Sequence, residues 1–351
     1  MSISLAVKYR PKTFDDVSEQ GSVKAILENQ ISTNTIKHGY LFCGGAGTGK
    51  TTCARIFANE INKGQGEPIE LDAASNNSVE DIRRLTEQAQ TKSLDSEFKV
   101  FIIDECHSLS NQAWQAMLKT LEEPPASSIF IFCTTNPEKI PNTILSRVQR
   151  YNFQRISQKG IVSRLKLILD CENEESSKSE KPEERIEYDI ASLEYIAKIA
   201  DGGMRDAITL MDKCLSYSKE LSVANVEDAL GLVDYQLMYD LTMKAKQADM
   251  PSVIEIINGV YASGVDLKLF VKNYFEFVLD FNVFLVTNSL EATKIPKTFE
   301  SKIKTLGGYF TIDSANELLD FLVDLQSKIK WEQAPKAVIL AGFMLYIGSA
   351  K

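Results

Sequence analysis

A chain of 351 residues is long enough for two or three domains of ordinary size. With 44% hydrophobic and 25% charged residues it belongs with globular rather than disordered or low-complexity chains, and its formal net charge of −9 excludes a protein that coats nucleic acid through bulk positive charge. Any nucleic-acid contact must be local, and residues 1–157, with 17 basic and 18 acidic side chains, leave most of the acid to the rest of the chain. The longest apolar run, Ala337–Ile347, falls well short of the roughly 20 residues that cross a bilayer, and no apolar signal core opens the chain, so a cytoplasmic protein without membrane contact is expected. Six cysteines (Cys43, Cys53, Cys106, Cys133, Cys171 and Cys214) are scattered with no C-x-x-C pair, which suits reduced thiols used as small core residues and predicts no zinc site.

In chain order, Tyr40–Cys43, Ile69–Leu71, Val100–Ile103 and Ile129–Cys133 are short apolar runs rich in β-branched or aromatic residues, which predicts strands buried on both faces. Strands of that kind, alternating with longer helical patterns, imply a parallel sheet covered by helices, with Ile129–Cys133 as the last core strand. From about residue 158 helical periodicity takes over, and Ile161–Leu169, Ile190–Ala200, Arg205–Tyr217 and Val223–Leu230 read as a cluster of short helices. Cys171–Glu187, with seven acidic and three basic residues and no apolar period, is expected to interrupt the cluster as a mobile loop. From about Asp234 the helices lengthen, and Leu267–Phe284, Ser314–Ile329 and Pro335–Ile347 carry apolar faces wide enough to pack on other helices, including those of another subunit.

The first predicted strand runs directly into Gly44-Gly45-Ala46-Gly47-Thr48-Gly49-Lys50-Thr51, followed by a helical pattern over Thr52–Asn62. This is G-x-x-x-x-G-K-[ST] in its strand, loop and helix setting: glycines let backbone N–H groups wrap a phosphate at a helix N-terminus, Lys50 reaches the β- and γ-phosphates, and the Thr51 hydroxyl holds Mg²⁺. About fifty residues later the strand Val100–Ile103 ends in Asp104 and Glu105, one acid placed to support the metal and a second to take a proton from, or orient, the attacking water. That pair predicts hydrolysis rather than mere binding. The two histidines, His38 and His107, have no neighbours at metal-ligand spacing and are expected to have surface or packing roles.

Tyr9-Arg10-Pro11 with Thr13–Val17, the phosphate loop, Asp104-Glu105-Cys106-His107, Leu118–Pro125, Thr134-Thr135-Asn136-Pro137 and Ser146-Arg147 occur in this order. As a set they resemble the AAA+ clamp-loader ATPase subunits, most closely the gamma/tau family of bacterial DNA polymerase III. The resemblance implies an α/β P-loop core with a parallel sheet over residues 1–157, a small helical lid over 158–233, and an all-helical collar for oligomerisation over 234–351. It assigns Tyr9, Arg10, Pro11 and Val17 to an adenine pocket, Gly44 to Thr52 to ATP binding, and Thr135 and Asn136 to a sensor watching the γ-phosphate and water. Gly202–Ala207 resembles a second sensor, making Arg205 a contact to the γ-phosphate of the same chain, while Arg147 acts as an arginine finger on ATP held by a neighbour. Ser75, Asn76, Asn77 and Ser78, before the predicted helix Val79–Gln90, and Lys119 are the implied contacts to DNA phosphates. The implied partners are the other subunits of a ring of five, a sliding clamp and primer-template DNA.

The sequence departs from the family pattern in two places. The usual four-cysteine zinc module is replaced by Asn62–Glu67, which has no cysteine, and the usual Ser-Arg-Cys reads Ser146-Arg147-Val148, which keeps the cation. The chain ends where the collar is expected to end, and so lacks a tau-type extension, either naturally or by truncation. A branch-migration motor of the same superfamily would share the P-loop and acidic strand, and a non-hydrolysing nucleotide-binding scaffold the P-loop alone. Tyr9-Arg10-Pro11 and Leu121–Pro125 favour the loader over the first, and Glu105 and Arg147 argue against the second.

Overall fold

The computed structural model describes residues 3–93, 95–178, 185–230 and 235–349. The chain divides into two compact units, Met1–Lys219 and Glu220–Lys351. In the first, β1 (Gly39–Cys43), β2 (Ile69–Asp72), β3 (Lys99–Asp104), β4 (Ser128–Thr134) and β5 (Gln149–Asn152) form one parallel sheet in the order β2-β3-β4-β1-β5. Because β4 lies between β1 and β3, the C-terminal ends of these three strands stand side by side, which is where open α/β sheets place their ligands.

Every residue of β1 and β4 is buried, and the pleat sends alternate side chains to opposite faces. Tyr40 and Phe42 join Ile129, Ile131 and Cys133 beneath α2 (Gly21–Ser32) and α3 (Lys50–Ile61); Leu41, Cys43, Phe130 and Phe132 meet α4 (Val79–Ala89) and α5 (Asn111–Glu122) on the other face. A sheet covered in this way needs apolar side chains on both faces, hence the continuous runs in the sequence.

β5 corrects the expectation that Ile129–Cys133 is the last core strand. It pairs with β1 at the sheet edge, where only Tyr151 is buried, against Tyr40 and Phe42 with ring centroids 5.9 and 5.5 Å away. An edge strand with one inward residue carries no apolar run to read. The short α1 (Leu5–Lys8) opens the unit, and α6 (Asn142–Leu145) leads into β5.

The expected loop Cys171–Glu187 is corrected over its first half, because α7 (Gln158–Lys178) continues to Lys178. Lys8 Nζ bonds Glu172 and Glu175 at 2.6 Å each, and Asn173 exchanges hydrogen bonds with the backbone of Ile186, so the acidic face has partners that sequence periodicity does not reveal. Residues 179–184 of that loop, and the expected boundary at residues 233–234, lie outside the described residues. After α7 come the two-residue β6 (Glu187–Tyr188), α8 (Ile190–Ile199) and α9 (Met204–Tyr217).

The second unit starts with the two-residue β7 (Glu220–Leu221) and α10 (Val223–Leu230), so strand structure does not wholly stop at residue 158. Its long helices are α11 (Tyr235–Lys246), α12 (Met250–Ala262), α13 (Leu267–Thr287), α15 (Ile312–Ile329) and α16 (Pro335–Ser349), with the short α14 (Glu300–Gly307) between them. Their shared core includes Tyr274, Phe281, Leu318, Leu322, Ile339 and Phe343. No described helix is long and apolar enough to cross a membrane.

Candidate nucleotide site

The loop after β1 is shaped by two close approaches. A Cβ on Gly44 would lie 2.4 Å from the carbonyl oxygen of Phe153, and one on Gly47, whose φ is +68°, would lie 3.0 Å from the Cα of Gly203. Gly47 also accepts a hydrogen bond from Met204 N (3.0 Å), which seats the first turn of α9 on the loop. Gln20 supports it from the other side, its amide donating to Gln154 O (2.7 Å) and Thr48 O (3.4 Å).

Lys50 is only 6% exposed, and its ammonium donates to the loop's own carbonyls, Gly44 O (2.9 Å) and Gly45 O (2.7 Å). It has no carboxylate partner within ion-pair distance among the described residues. A buried cation held only by neutral carbonyls, beside the free N–H groups of a helix N-terminus, is suited to an anion. Thr51 Oγ1 donates to Asp104 Oδ2 (2.7 Å), bringing together two hard oxygens where Mg²⁺ would need one or two protein ligands besides phosphate and water. The residues present therefore fit a nucleotide with its magnesium.

These groups border a cavity of about 760 Å³ in the first unit. Of the predicted residues, Tyr9, Arg10, Pro11, Val17, Ala46 to Thr52, Asp104, Glu105 and Arg205 line it. Burial lowers the pKa of Arg10, and the like charges of Arg55 and Arg205 lower it further against the opposing effect of Glu70. Arg10, Arg55 and Arg205 thus all border the cavity, and Glu70 pairs with Arg55. Arg55, Glu70, Asp72 and Arg164 also line the cavity, and sequence reasoning missed them. Asp72 had a readable signal, since it ends β2 in register with Asp104 at the end of β3.

Glu105 has a φ of +46°, uncommon for a residue with a side chain, and its N–H donates to Asp104 Oδ1 (3.0 Å). Thr135 Oγ1 lies 3.1 Å from Glu105 Oε2 and 2.9 Å from Asn136 Oδ1, so the end of β4 reaches the second acid. His107, expected to have only a surface or packing role, stands against the same carboxylate; its place two residues after Glu105 was the missed signal. His38 fits the packing expectation, with its Nδ1 3.0 Å from Ser128 O.

Arg147 lies outside the cavity, exposed between α6 and β5, where it pairs with Glu122 (2.7 Å) and donates to Thr143 O. An exposed pair of that kind contributes at most about 1 kcal/mol, so the guanidinium is readily released to a stronger anion. Val148 packs on the α4 and α5 face of the sheet. Arg205 forms no ion pair among the described residues, and Asp201, four residues before it, pairs with Arg155.

The predicted DNA contacts are exposed, but most are engaged locally. Ser75 Oγ donates to Asp72 Oδ2 (2.8 Å), Asn76 Nδ2 to Asp72 O (3.0 Å), and Ser78 caps α4 with Asp81 in a reciprocal box. Lys119 is exposed on α5 without an ion pair among the described residues. The segment Asn62–Glu67 closes by Asn62 exchanging hydrogen bonds with the Phe98 backbone, both at 2.9 Å. No group of three or more metal-ligating side chains occurs among the described residues.

Three family models match in succession: DNA polymerase III, delta subunit, over residues 68–157; DNA polymerase III clamp loader subunit, ATPase lid domain, over 182–220; and DNA polymerase III subunits gamma and tau domain III, over 221–341. Among similar proteins, the tau subunit of Bacillus subtilis is 34% identical over 93% of this chain and 60% of its own length. The Escherichia coli tau subunit is 35% identical over 75% and 42%, and the gamma subunit of Buchnera aphidicola from Acyrthosiphon pisum is 33% identical over 75% of both. The chain thus spans about half the length of the two tau relatives. Among solved structures, the Thermotoga maritima RuvB Holliday junction branch migration motor matches with a TM-score of 0.51 and 19% identity, covering 77% of this chain and 90% of its own. That likeness shows a shared AAA+ fold alone.

Proposed function

The chain belongs to the gamma/tau family of DNA polymerase III clamp-loader subunits, and on that premise we propose that it is an ATP-driven subunit that helps open a sliding clamp and place it on primer-template DNA, hydrolysis releasing the loaded clamp. The observation that carries this reading is the buried Lys50 ammonium, without a counter-ion among the described residues, set beside the Thr51–Asp104 pair and Glu105. Lys50 and the loop N–H groups hold the phosphates, while Arg10 and Tyr9 line the adenine end. Thr51 and Asp104 would hold magnesium, which when bound would supply charge neutralisation to the phosphates. Glu105 takes the proton of the attacking water, with Thr135 and Asn136 reporting the γ-phosphate and Arg205 contacting it. Arg147, on the sheet edge away from its own cavity, serves the site of the next subunit.

In this reading residues 1–157 are the ATPase core, 158–233 the lid and 234–351 the collar of a five-membered cytoplasmic ring, with Lys119 and the Ser75–Ser78 turn on the DNA phosphates. The RuvB likeness, being of fold alone, adds nothing for a branch-migration motor. The test is ATPase activity with and without primer-template DNA and clamp. Lys50→Ala is expected to lose nucleotide binding, whereas Glu105→Gln keeps binding and loses roughly 10²-fold or more in turnover. A Gln variant that hydrolyses at the normal rate would remove Glu105 from its role.

A further inference from the structure

The short helix α1 is tied to the helices that follow the sheet. Its first N–H, that of Leu5, donates to Asp212 Oδ2 on α9 (3.1 Å), and the Leu5 side chain is buried. At its other end Lys8 Nζ donates to Glu172 Oε1 and Glu175 Oε2 on α7 at 2.6 Å each, and Arg164, also on α7, donates to the carbonyl of Tyr9 (2.9 Å). The bonds to Glu172 and Glu175 hold the Lys8 ammonium above the usual lysine range, against the lowering effect of burial, so this clasp is charged at neutral pH. A few residues further on, Phe14 and Val17 are buried in the sheet core with residues of α2 and α3. Tyr9, Arg10 and Pro11, which line the cavity, thus form a strap with one end fastened to α7 and α9 and the other to the core. Lys8 itself does not line the cavity.

We infer that Lys8 is a positioning residue for the base end of the cavity: its clasp on Glu172 and Glu175 fixes where Tyr9, Arg10 and Pro11 stand, and so raises affinity for the base without touching it. The inference rests on the reading of those three residues as the adenine end. A strap already ordered before binding spares the nucleotide the entropy of ordering it. A lone exposed ion pair would do little here, but one ammonium bridging two carboxylates is a small network. Lys50 and Thr51 have their own partners, on the phosphate loop and on β3, so loss of the clasp falls on base binding rather than on phosphate binding or turnover.

ATP and inorganic tripolyphosphate, each with Mg²⁺, separate the two ends of the site. Lys8→Met keeps the apolar stem and removes the charge; it is expected to weaken ATP binding roughly 5-fold and tripolyphosphate binding by less than about 1.5-fold. In the assembled complex KM for ATP should rise by a similar factor, with kcat within about 2-fold of the parent. Lys8→Arg, whose fork can meet both carboxylates, is expected to keep ATP affinity within about 2-fold. Glu172→Gln combined with Glu175→Gln should reproduce the loss from the other side of the clasp, and Lys8→Met should add nothing on top of that pair. Unchanged ATP affinity in Lys8→Met, or equal weakening of ATP and tripolyphosphate at matched thermal midpoints, would overturn the inference. So would a Gln pair that binds ATP like the parent beside a weakened Lys8→Met, because the effect would then belong to the Lys8 ammonium over the Tyr9 ring, 5.3 Å from its centroid. If Lys8→Met fails to fold, the Gln pair decides. Full ATP affinity in Tyr9→Ala would instead sink the reading of the adenine end itself, while a weakened Tyr9→Ala beside an unaffected Lys8→Met sinks only the role of Lys8.

Discussion

In the sheet-bearing unit, the strand ends bring Lys50, Thr51, Asp104 and Glu105 to one cavity that Arg205 of α9 also lines, and polar atoms there have specific partners, Thr51 on Asp104 and Thr135 on Glu105. In the C-terminal helical unit the interior is aromatic and aliphatic, from Tyr274 and Phe281 on α13 to Leu322 on α15 and Phe343 on α16, and its buried polar groups serve packing. Thr242, for example, bonds Met238 O (2.7 Å) and Tyr274 OH (3.1 Å) within the helices. Residue identity matters atom by atom in the first unit, and mainly by volume in the second. A substitution in the first is therefore expected to change chemistry at constant stability, and one in the second stability at constant chemistry.

The largest test of that contrast is Arg147→Ala. Nucleotide affinity of the isolated chain is expected to stay intact, because Arg147 lies outside its own cavity. ATPase in the assembled complex is expected to fall by roughly 10³-fold, the range of a lost arginine finger. Arg147→Lys restores little, since it keeps the charge without the planar fork. Mixing Arg147→Ala with Lys50→Ala chains gives rescue if the finger acts in trans; no rescue in any mixture, with co-assembly confirmed, rules out that geometry.

The counterpart in the helical unit is Leu322→Ala. Leu322 is fully buried in the shared core of that unit, and truncation there is expected to cost about 3 kcal/mol through lost burial and a residual cavity. Chemical denaturation measures this, and ATP affinity of the folded fraction should match the parent. A large loss of affinity at full folding would break the contrast.

How much of each region could be read in advance follows the same division. The phosphate loop and the acids ending β3 were legible because glycine, lysine and carboxylate act there at fixed short spacing. β5 was not, because Gln149-Arg150-Tyr151-Asn152 lies at an edge and buries one residue. Nor was the length of α7, whose acidic face finds Lys8 more than 160 residues away in sequence. The Glu105–His107 contact is short in sequence but depends on a backbone turn at φ +46°, which residue types alone do not announce. The long helices of the second unit were legible as elements from their apolar periodicity, but volume-driven packing carries no string that names its partners.

The smallest expected effect tests the boundary between structure and function inside the first unit. Ser78 Oγ accepts from Asp81 N (3.2 Å) while Asp81 Oδ2 accepts from Ser78 N (3.3 Å), and Glu80 adds a second acid to the first turn of α4. The partial positive charge of that helix end is thus already met by carboxylates of the chain itself, which a DNA phosphate would have to face. Ser78→Ala is accordingly expected to cost about 1 kcal/mol of stability and to leave the salt dependence of DNA binding unchanged. Lys119 forms no ion pair among the described residues, and Lys119→Ala should leave stability within about 0.5 kcal/mol while lowering the slope of log affinity against log salt by about 1. Binding to primer-template DNA across a salt series measures both. If Ser78→Ala flattened the slope and Lys119→Ala did not, the DNA contact would belong to the turn before α4, and a residue whose geometry reads as a helix cap would be part of the DNA-binding surface.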